Sequence, residues 1–156
     1  MRFLNSLKLK DKVFFIIVLV GGIFILVQEI FFGSNEVLDN KELMELIIDD
    51  AKVVVKISDT VEERYRGLSF QDALAENEGM LFLHKNVGRH EYVMRDMKFD
   101  LDFVFIRDKE VVDIAKNVSK DYRGIVKGAT TYNKVLEVPA GWVDKNNIRL
   151  GGEVKQ

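Results

Sequence analysis

The chain has 156 residues, of which 31% are charged, a formal net charge of -2 and no cysteine. A length of this order predicts one ordinary domain with little beside it. The absence of cysteine excludes disulfide bonds, thiol catalysis and the lipid-modified cysteine of a bacterial lipoprotein. A slight excess of acids makes nucleic acid a poor partner, because such binding needs a basic surface.

An unbroken apolar run follows the basic amino terminus. Val13–Val27 contains no polar side chain, and the run continues with two polar interruptions to Phe32. About 20 residues of helix span roughly 30 Å, which matches the hydrocarbon thickness of a bilayer. The sequence therefore predicts a cytoplasmic basic arm over residues 1–12 and a transmembrane helix over residues 13–32.

The charges on either side of this segment predict its orientation. Four Lys or Arg residues precede it, whereas the acids Glu29, Glu36 and Asp39 come first on its far side. By the positive-inside rule the amino terminus is cytoplasmic and the following domain lies outside. A cleaved signal would leave the domain secreted or periplasmic, but residues 28–32 are too bulky for a good cleavage site. We therefore expect an uncleaved, single-pass anchor.

The segment after the anchor is predicted to be a stem that contains a short helix. Asn40 can cap this helix, whose apolar side chains share one face. Those side chains are Leu43, Leu46 and Ile47. The helix would either pack on the domain, which we favour, or serve as a dimerising stem. The predicted organisation is thus a stem over residues 33–50 and an extracytoplasmic β domain over residues 51–156.

From Ala51 onward, short strands alternate with turn signals. Thr60 and Glu63 have the spacing of a capping box and predict a short helix that ends near Gly67. Pro139 and the residues after it predict a second helical turn. The predicted strands are residues 52–57, 80–83, 91–94, 101–106, 110–115, 134–138 and 148–154. Many short strands with one or two short helices favour a mainly β fold, a compact antiparallel sandwich or barrel.

Five motifs in a fixed order carry a family resemblance. They are Thr60-x-x-Glu63-Arg64-x-x-Gly67-Leu68, Glu78-Gly79-Met80-Leu81-Phe82, Met94-Arg95-Asp96-Met97, Leu101 to Ile106, and Leu136 to Gly141. In this order they resemble the bacterial and archaeal family called domain of unknown function 192. The resemblance spans roughly Val53 to Val154. It implies a compact jelly-roll type of β sandwich, often preceded by a signal or anchor, with no established activity.

Two positions depart from the family pattern. Val93 stands directly before Met94, where family members usually have an aromatic residue, and Tyr92 lies one position earlier. Asp100 precedes Leu101, where the resemblance leads us to expect proline. A ligand pocket lined by this segment would therefore be altered in this chain.

Two acids on apolar strands are the candidate catalytic residues. Asp102 shares a strand face with Val104 and Ile106, and Glu137 shares one with Val135. An ionised carboxylate is costly to bury unless it is paired. We favour a structural ion pair for Asp102 over a ligand-binding role, with partners among Arg64, Arg66 and Arg95. If Asp102 and Glu137 met on neighbouring strands, they would form a pair suited to acid and base catalysis.

The candidate ligand-binding surface is a cleft near the end of the first helix. It comprises Arg64, Gly67, Glu78, Gly79, Met80, Met94, Arg95, Asp96 and Asp102. A weaker hypothesis is a copper site formed by Met94, Met97 and His90, since thioether and imidazole groups suit copper. In a regular strand, however, Met94 and Met97 would point to opposite faces. No nucleophile elbow, phosphate loop or metalloprotease spacing occurs in the sequence.

These features favour a membrane-anchored, extracytoplasmic binding or accessory domain over an enzyme. Its partner would be a small molecule, an envelope polymer or another protein, with no cofactor and no nucleic acid. The main alternative is a carboxylate-dependent hydrolase or lyase acting on an envelope substrate. In that case Asp102 and Glu137 would be the acid and base, and Arg64 would clamp an anion. A copper-binding protein is a lesser alternative.

Overall fold

A computed structural model gives the structure of residues 43–155. The predicted basic arm, the transmembrane segment and the stem as far as residue 42 lie outside this range. Among residues 43–155, no helix is long and apolar enough to cross a membrane.

Seven strands and two short helices make up this part of the chain. They are β1 (Met44–Ile48), β2 (Ala51–Ser58), α1 (Val61–Arg66), β3 (Glu78–Gly88), β4 (Leu101–Arg107), β5 (Glu110–Val118), β6 (Tyr132–Pro139), α2 (Trp142–Lys145) and β7 (Val154–Lys155). The strands form one sheet in the order β5-β4-β6-β3-β2-β1-β7. Neighbours are antiparallel except for β2 and β3, which run parallel. The mainly β prediction with two short helices is confirmed.

Helix α1 begins at the predicted capping box. The Thr60 side chain accepts a hydrogen bond from the Glu63 N–H at 3.1 Å, and the Glu63 carboxylate accepts one from the Thr60 N–H at 3.1 Å. The helix ends at Gly67, whose φ of +51° a residue with a Cβ would adopt at a cost. Because β2 and β3 are parallel, α1 and the loop after it form the crossover between them.

The sheet curls so far that its two edge strands, β5 and β7, and the residues next to them form hydrogen bonds across the opening. At the start of β5, Val111 donates its N–H to the Gly152 carbonyl at 3.0 Å and accepts from the Gly151 N–H at 2.8 Å. Val154 in β7 donates to the Lys109 carbonyl at 2.8 Å. Main-chain groups that an open sheet would expose are therefore satisfied by the opposite edge.

Both faces of the central strands are buried. On β4, Val104 and Ile106 face the inside of the curl, whereas Phe103 and Phe105 face outward beneath the connecting loops. The inner core also contains Leu46, Ile48, Val53, Val55, Leu81, Val111, Leu136, Val138, Trp142, Val143, Ile148 and Val154. The outer core also contains Leu68, Met80, Phe82, Met94, Leu101, Val126, Tyr132 and Val135. A polar side chain on these strands has little access to water on either face.

Asp102 is fully buried and joins β4 to two other segments. One carboxylate oxygen accepts hydrogen bonds from the N–H groups of Gly141 and Val143, each at 3.0 Å. The other accepts from the N–H of Asn117 at 2.7 Å. The predicted ion pair with Arg64, Arg66 or Arg95 is wrong, because main-chain donors at α2 and at the end of β5 satisfy this carboxylate instead.

Three local predictions are also wrong. The part of the predicted stem helix that the structure describes is instead the strand β1. Leu46 and Ile48 both point into the inner core, as alternate residues of a strand do, and β1 pairs with β2. Residues 91–94 form no strand but only an isolated bridge from Tyr92 to Val126. The last strand is confined to Val154–Lys155, since the chain before it turns to close the curl.

Candidate functional site

A pocket of about 350 Å³ lies on the outer face of the sheet. Its base is formed by β3, β4 and β6, and α1 and the segment before β4 form its walls. The base residues are Phe82, His84, Leu101 and Glu137. The wall residues are Val61, Arg64, Tyr65, Arg66, Gly67, Leu68, Ser69, His90, Glu91, Tyr92, Val93, Arg95 and Met97. The pocket is thus the gap between the outer core and the crossover helix.

Glu137 is the buried acid of this pocket. Its side chain is 6% exposed, and its neighbours in register are Met80 on β3 and Phe103 on β4. Among residues 43–155, no group makes a hydrogen bond or ion pair with its carboxyl. Burial raises the pKa of Glu137 from an ordinary value of 4.5 to about 8, because the charged form loses its hydration. At neutral pH the group is therefore mostly a neutral acid.

A histidine and a tyrosine line the same pocket as Glu137 and contact each other. The His84 Nε2 atom is 2.6 Å from the Tyr92 hydroxyl, and the His90 ring stacks on His84 with 3.5 Å between centroids. Burial, and then the charges of His90 and Arg64, lower the pKa of His84 to about 4. Burial first, and Glu137 next, raise the pKa of Tyr92. Both groups are uncharged at neutral pH, so one hydrogen atom lies between them.

Arg64 is held in place by main-chain carbonyls. Its Nη1 donates to the Leu83 carbonyl at 3.0 Å and to the Asp59 carbonyl at 2.5 Å. These bonds fix the guanidinium between the start of α1 and β3. No carboxylate within residues 43–155 pairs with Arg64. The pocket therefore contains a positioned cation that lacks a counter-charge from the described chain.

Arg95 lies on the wall of the pocket and packs against α1. Its guanidinium is 4.0 Å from the centre of the Tyr65 ring and donates to the Tyr65 carbonyl at 2.5 Å. A looser contact of 3.7 Å joins it to the exposed carboxylate of Asp96. Such an exposed ion pair contributes little. Arg95 therefore adds positive charge to the pocket and attaches the segment before β4 to the helix.

Three of the predicted ligand-binding residues line the pocket, namely Arg64, Gly67 and Arg95. The other six lie elsewhere; they are Glu78, Gly79, Met80, Met94, Asp96 and Asp102. Glu78 accepts a hydrogen bond from the Ala75 N–H at 3.1 Å and stabilises the turn into β3. A Cβ on Gly79 would lie 2.7 Å from the Glu137 carbonyl, so this glycine lets β3 and β6 pack closely. Met80 and Met94 belong to the outer core.

The predicted acid and base pair is wrong. In the antiparallel register of β4 and β6, Asp102 is opposite Val138 and Phe103 is opposite Glu137. Opposed residues point to the same face, and successive residues alternate. Asp102 and Glu137 therefore lie on opposite faces of the sheet, Asp102 inside the curl and Glu137 outside it.

The predicted copper ligands are also divided. Met97 and His90 line the pocket, but Met94 is 2% exposed in the outer core and does not line it. Within the described chain, no three His, Asp or Glu side chains are grouped so that they could hold a metal ion. The three predicted copper ligands are therefore not grouped around this pocket, because Met94 lies outside its lining.

His84 and Tyr92 also line the pocket, although neither belongs to the predicted ligand-binding set. Met80, Phe82 and His84 alternate along one strand, so they share a face, and this periodicity could have placed His84 beside the outer core. For Tyr92, the departure from the family pattern could have served as the signal. The family resemblance leads us to expect an aromatic residue directly before Met94, and in this chain the aromatic residue lies one position earlier.

The geometry defines a class: a curled, mainly antiparallel β domain with a small pocket between its outer face and a crossover helix. Residues 44–156 match the DUF192 family, described as an uncharacterized ACR, and the chain therefore belongs to that family. The predicted family membership is confirmed. No curated protein matches the chain significantly.

Two solved structures have a similar fold. One is a protein of unknown function from Novosphingobium aromaticivorans, with 24% identity, a TM-score of 0.71 and coverage of 78% of this chain and 90% of that chain. The other, described as a proposed transcription regulator, is from Sinorhizobium meliloti. It has 21% identity, a TM-score of 0.70 and coverage of 74% of this chain and 94% of that chain. At these identities the similarity supports the fold alone.

The raised pKa of Glu137 predicts a pH-dependent stability. The unfolded chain loses this proton near pH 4.5, whereas the folded chain keeps it to about pH 8. Between these values the folded state binds one more proton, so this group makes the free energy of unfolding fall as pH rises, by up to about 1.4 kcal/mol per unit. Glu137→Gln should remove this contribution. Urea denaturation of the wild type and of Glu137→Gln across this pH range measures the difference between their free energies of unfolding.

The control for this experiment is Glu110→Gln, which removes one negative charge from an exposed position at the start of β5. It should leave the wild-type pH dependence in place. The stability gained by Glu137→Gln relative to wild type should grow through this range and level off above it. A difference that stays constant with pH would contradict the raised pKa.

Proposed function

We propose that this chain is a membrane-anchored, extracytoplasmic binding or accessory domain that holds a small molecule in the outer-face pocket. The observation that carries the proposal is Glu137, a buried acid that lines the pocket and has no partner among the described residues. An unpaired polar group is costly to bury, and a bound ligand would supply its missing hydrogen bonds. Perturbed acids in clefts are typical of functional sites.

The size of the pocket favours a small molecule over the other partners considered. Its volume of about 350 Å³ is at the lower end of the range for small-molecule sites, about 300 to 1,000 Å³. An envelope polymer would need an extended groove, and a protein partner would need a larger apolar surface. A monosaccharide-sized ligand suits this volume.

The sequence supports the proposed location. The apolar run Val13–Phe32 and the cations before it favour a single-pass anchor with the domain outside. The family resemblance adds a further expectation, that the curled sheet is a variant of the jelly roll. A domain tethered in this way would meet only ligands close to the outer surface of the membrane.

A binding role is favoured over the alternative of a hydrolase or lyase. That alternative required Asp102 beside Glu137, and the two acids lie on opposite faces of the sheet. His84 and Tyr92 line the same pocket, but they form a hydrogen bond with each other and are uncharged at neutral pH. The other carboxylate that lines the pocket, Glu91, is exposed and pairs with Lys127 at 3.1 Å, so it is not a buried partner for Glu137.

Native mass spectrometry of the full chain, released from mild detergent, tests the binding function. We expect a small molecule that copurifies, or that is captured from a metabolite mixture, in a ratio of one to one. Glu137→Leu should abolish this adduct, because leucine cannot form the hydrogen bonds of the acid. Val54→Leu, a change on the exposed side of β2, is the matched control and should keep it. An adduct that persists in Glu137→Leu would contradict the proposed site.

The absence of cysteine makes the orientation directly testable. The variant Lys109→Cys, on the exposed turn between β4 and β5, should react with a membrane-impermeant maleimide on intact cells. The variant Ser6→Cys, in the predicted basic arm, should react only after the membrane is permeabilised. The opposite pattern would place the domain in the cytoplasm. Retention of both labelled chains in the membrane fraction would also exclude cleavage of the anchor.

A further inference from the structure

We propose that the ligand of this pocket is a small hydroxylated organic acid whose anionic group binds Arg64 and whose hydroxyl group binds Glu137. This inference rests on the proposed binding function and specifies the class of ligand. It depends on the fixed guanidinium, the charge balance of the pocket, the hydrogen-bonding capacity of Glu137 and the size of the cavity.

Arg64 has the geometry of an anion-binding group. Its Nη1 is used by the carbonyls of Asp59 and Leu83, which hold the guanidinium in one orientation. The Nε and Nη2 groups make no hydrogen bond within the described chain. They present N–H donors in a planar fork that matches the two oxygens of a carboxylate or phosphate. Since these donors are already oriented, binding an anion would cost little side-chain entropy.

The charges around the pocket also favour an anion. Besides Glu137 and Tyr92, several charged or titratable side chains line the pocket. They are Arg64, Tyr65 and Arg66 from α1, His84 from β3, and His90, Glu91 and Arg95 from the segment before β4. Glu91 pairs with Lys127 at 3.1 Å, which offsets its charge. With Glu137 and His84 neutral, three arginines give the pocket a positive potential.

The part of the ligand that contacts Glu137 should differ from the anionic part that contacts Arg64. As a neutral acid it donates one O–H hydrogen bond and accepts others at its carbonyl oxygen. A hydroxyl group can accept the first and donate the second, so it satisfies both capacities of the acid. An anionic group at this place would instead oppose ionisation of Glu137 and offer no donor. The ligand should therefore carry its charge at one end and a hydroxyl group at the other.

The remaining walls suit the carbon skeleton of such a compound. The rings of Phe82 and Tyr92 meet edge to face, with centroids 5.3 Å apart, and Leu101 and Met97 add apolar surface. These groups can pack against C–H bonds without requiring further charge. A cavity of about 350 Å³ suits a sugar acid of one ring.

Calorimetric titration of the full chain in neutral detergent tests the inference with three sugars of equal size. D-glucuronate carries an anion, D-glucose is neutral and D-glucosamine is a cation at neutral pH. We expect glucuronate to bind at least about tenfold more tightly than either of the others. Glucose 6-phosphate, as a fourth probe, shows whether carboxylate or phosphate is preferred. The comparison uses the unaltered chain and so does not depend on how variants fold.

Variants then assign the two contacts. Arg64→Gln should weaken glucuronate binding at least about tenfold, whereas Arg107→Gln, at the exposed end of β4 and outside the pocket, should leave it unchanged. Glu137→Gln keeps a donor and an acceptor and should retain binding, whereas Glu137→Leu should lose it. Circular dichroism establishes that each variant is folded.

Two results would overturn the inference. If glucose or glucosamine bound as tightly as glucuronate and glucose 6-phosphate, the pocket would bind a ligand but not select an anion, and the proposed function would stand. If none of the four probes bound, this class of ligand would be wrong. The native mass spectrum would then decide separately whether the pocket holds any small molecule.

Discussion

The constraint on which the rest of the structure depends is the burial of β4 and β6 on both faces. The sheet closes its inner face by joining its edges, and α1 with the connecting loops covers its outer face. Any polar side chain on the central, buried part of these two strands must find partners inside the protein or remain without them. Asp102 and Glu137 occupy this position, one on each face.

The two acids meet this constraint in different ways. Asp102 faces the inner core and receives three main-chain hydrogen bonds, so it acts as a structural link between β4, α2 and the end of β5. Glu137 faces the outer layer, where the parallel crossover places α1 above β3 and leaves a pocket. The same crossover brings Arg64 to the Leu83 carbonyl. Main-chain groups of the protein thus satisfy the hydrogen bonds of Asp102, whereas Glu137 faces a cavity.

Local features of the chain were predictable because they depend on neighbouring residues. The capping box at Thr60 and Glu63 gave the start of α1, and alternation along residues 101–106 gave the faces of β4. Family membership followed from five motifs in order. The apolar neighbours of Asp102 and Glu137 marked these two acids as candidates for burial, but whether the second face of each strand is covered was left open. Of the candidate cleft, Arg64, Gly67 and Arg95 line the pocket, and their role in binding stays a prediction.

What could not be predicted depends on pairing between distant segments. A one-residue change in register reverses the face of every side chain, so the sequence could not show that Asp102 and Glu137 are on opposite faces. The spacing of Leu43, Leu46 and Ile47 fits a helix, and only the pairing with β2 makes this segment a strand. The contact of His84 with Tyr92 depends on the path of a loop.

The central claim is that Glu137 is an acid held without a protein partner in a pocket. The most direct measurement is a carbon-13 NMR titration of the glutamate side-chain carboxyls in the full chain, with Glu137→Gln identifying the signal. The structure predicts a midpoint at about pH 8 for this carboxyl in the absence of ligand. A midpoint near the ordinary value of 4.5 would show that the carboxyl is hydrated or paired, and would contradict the claim.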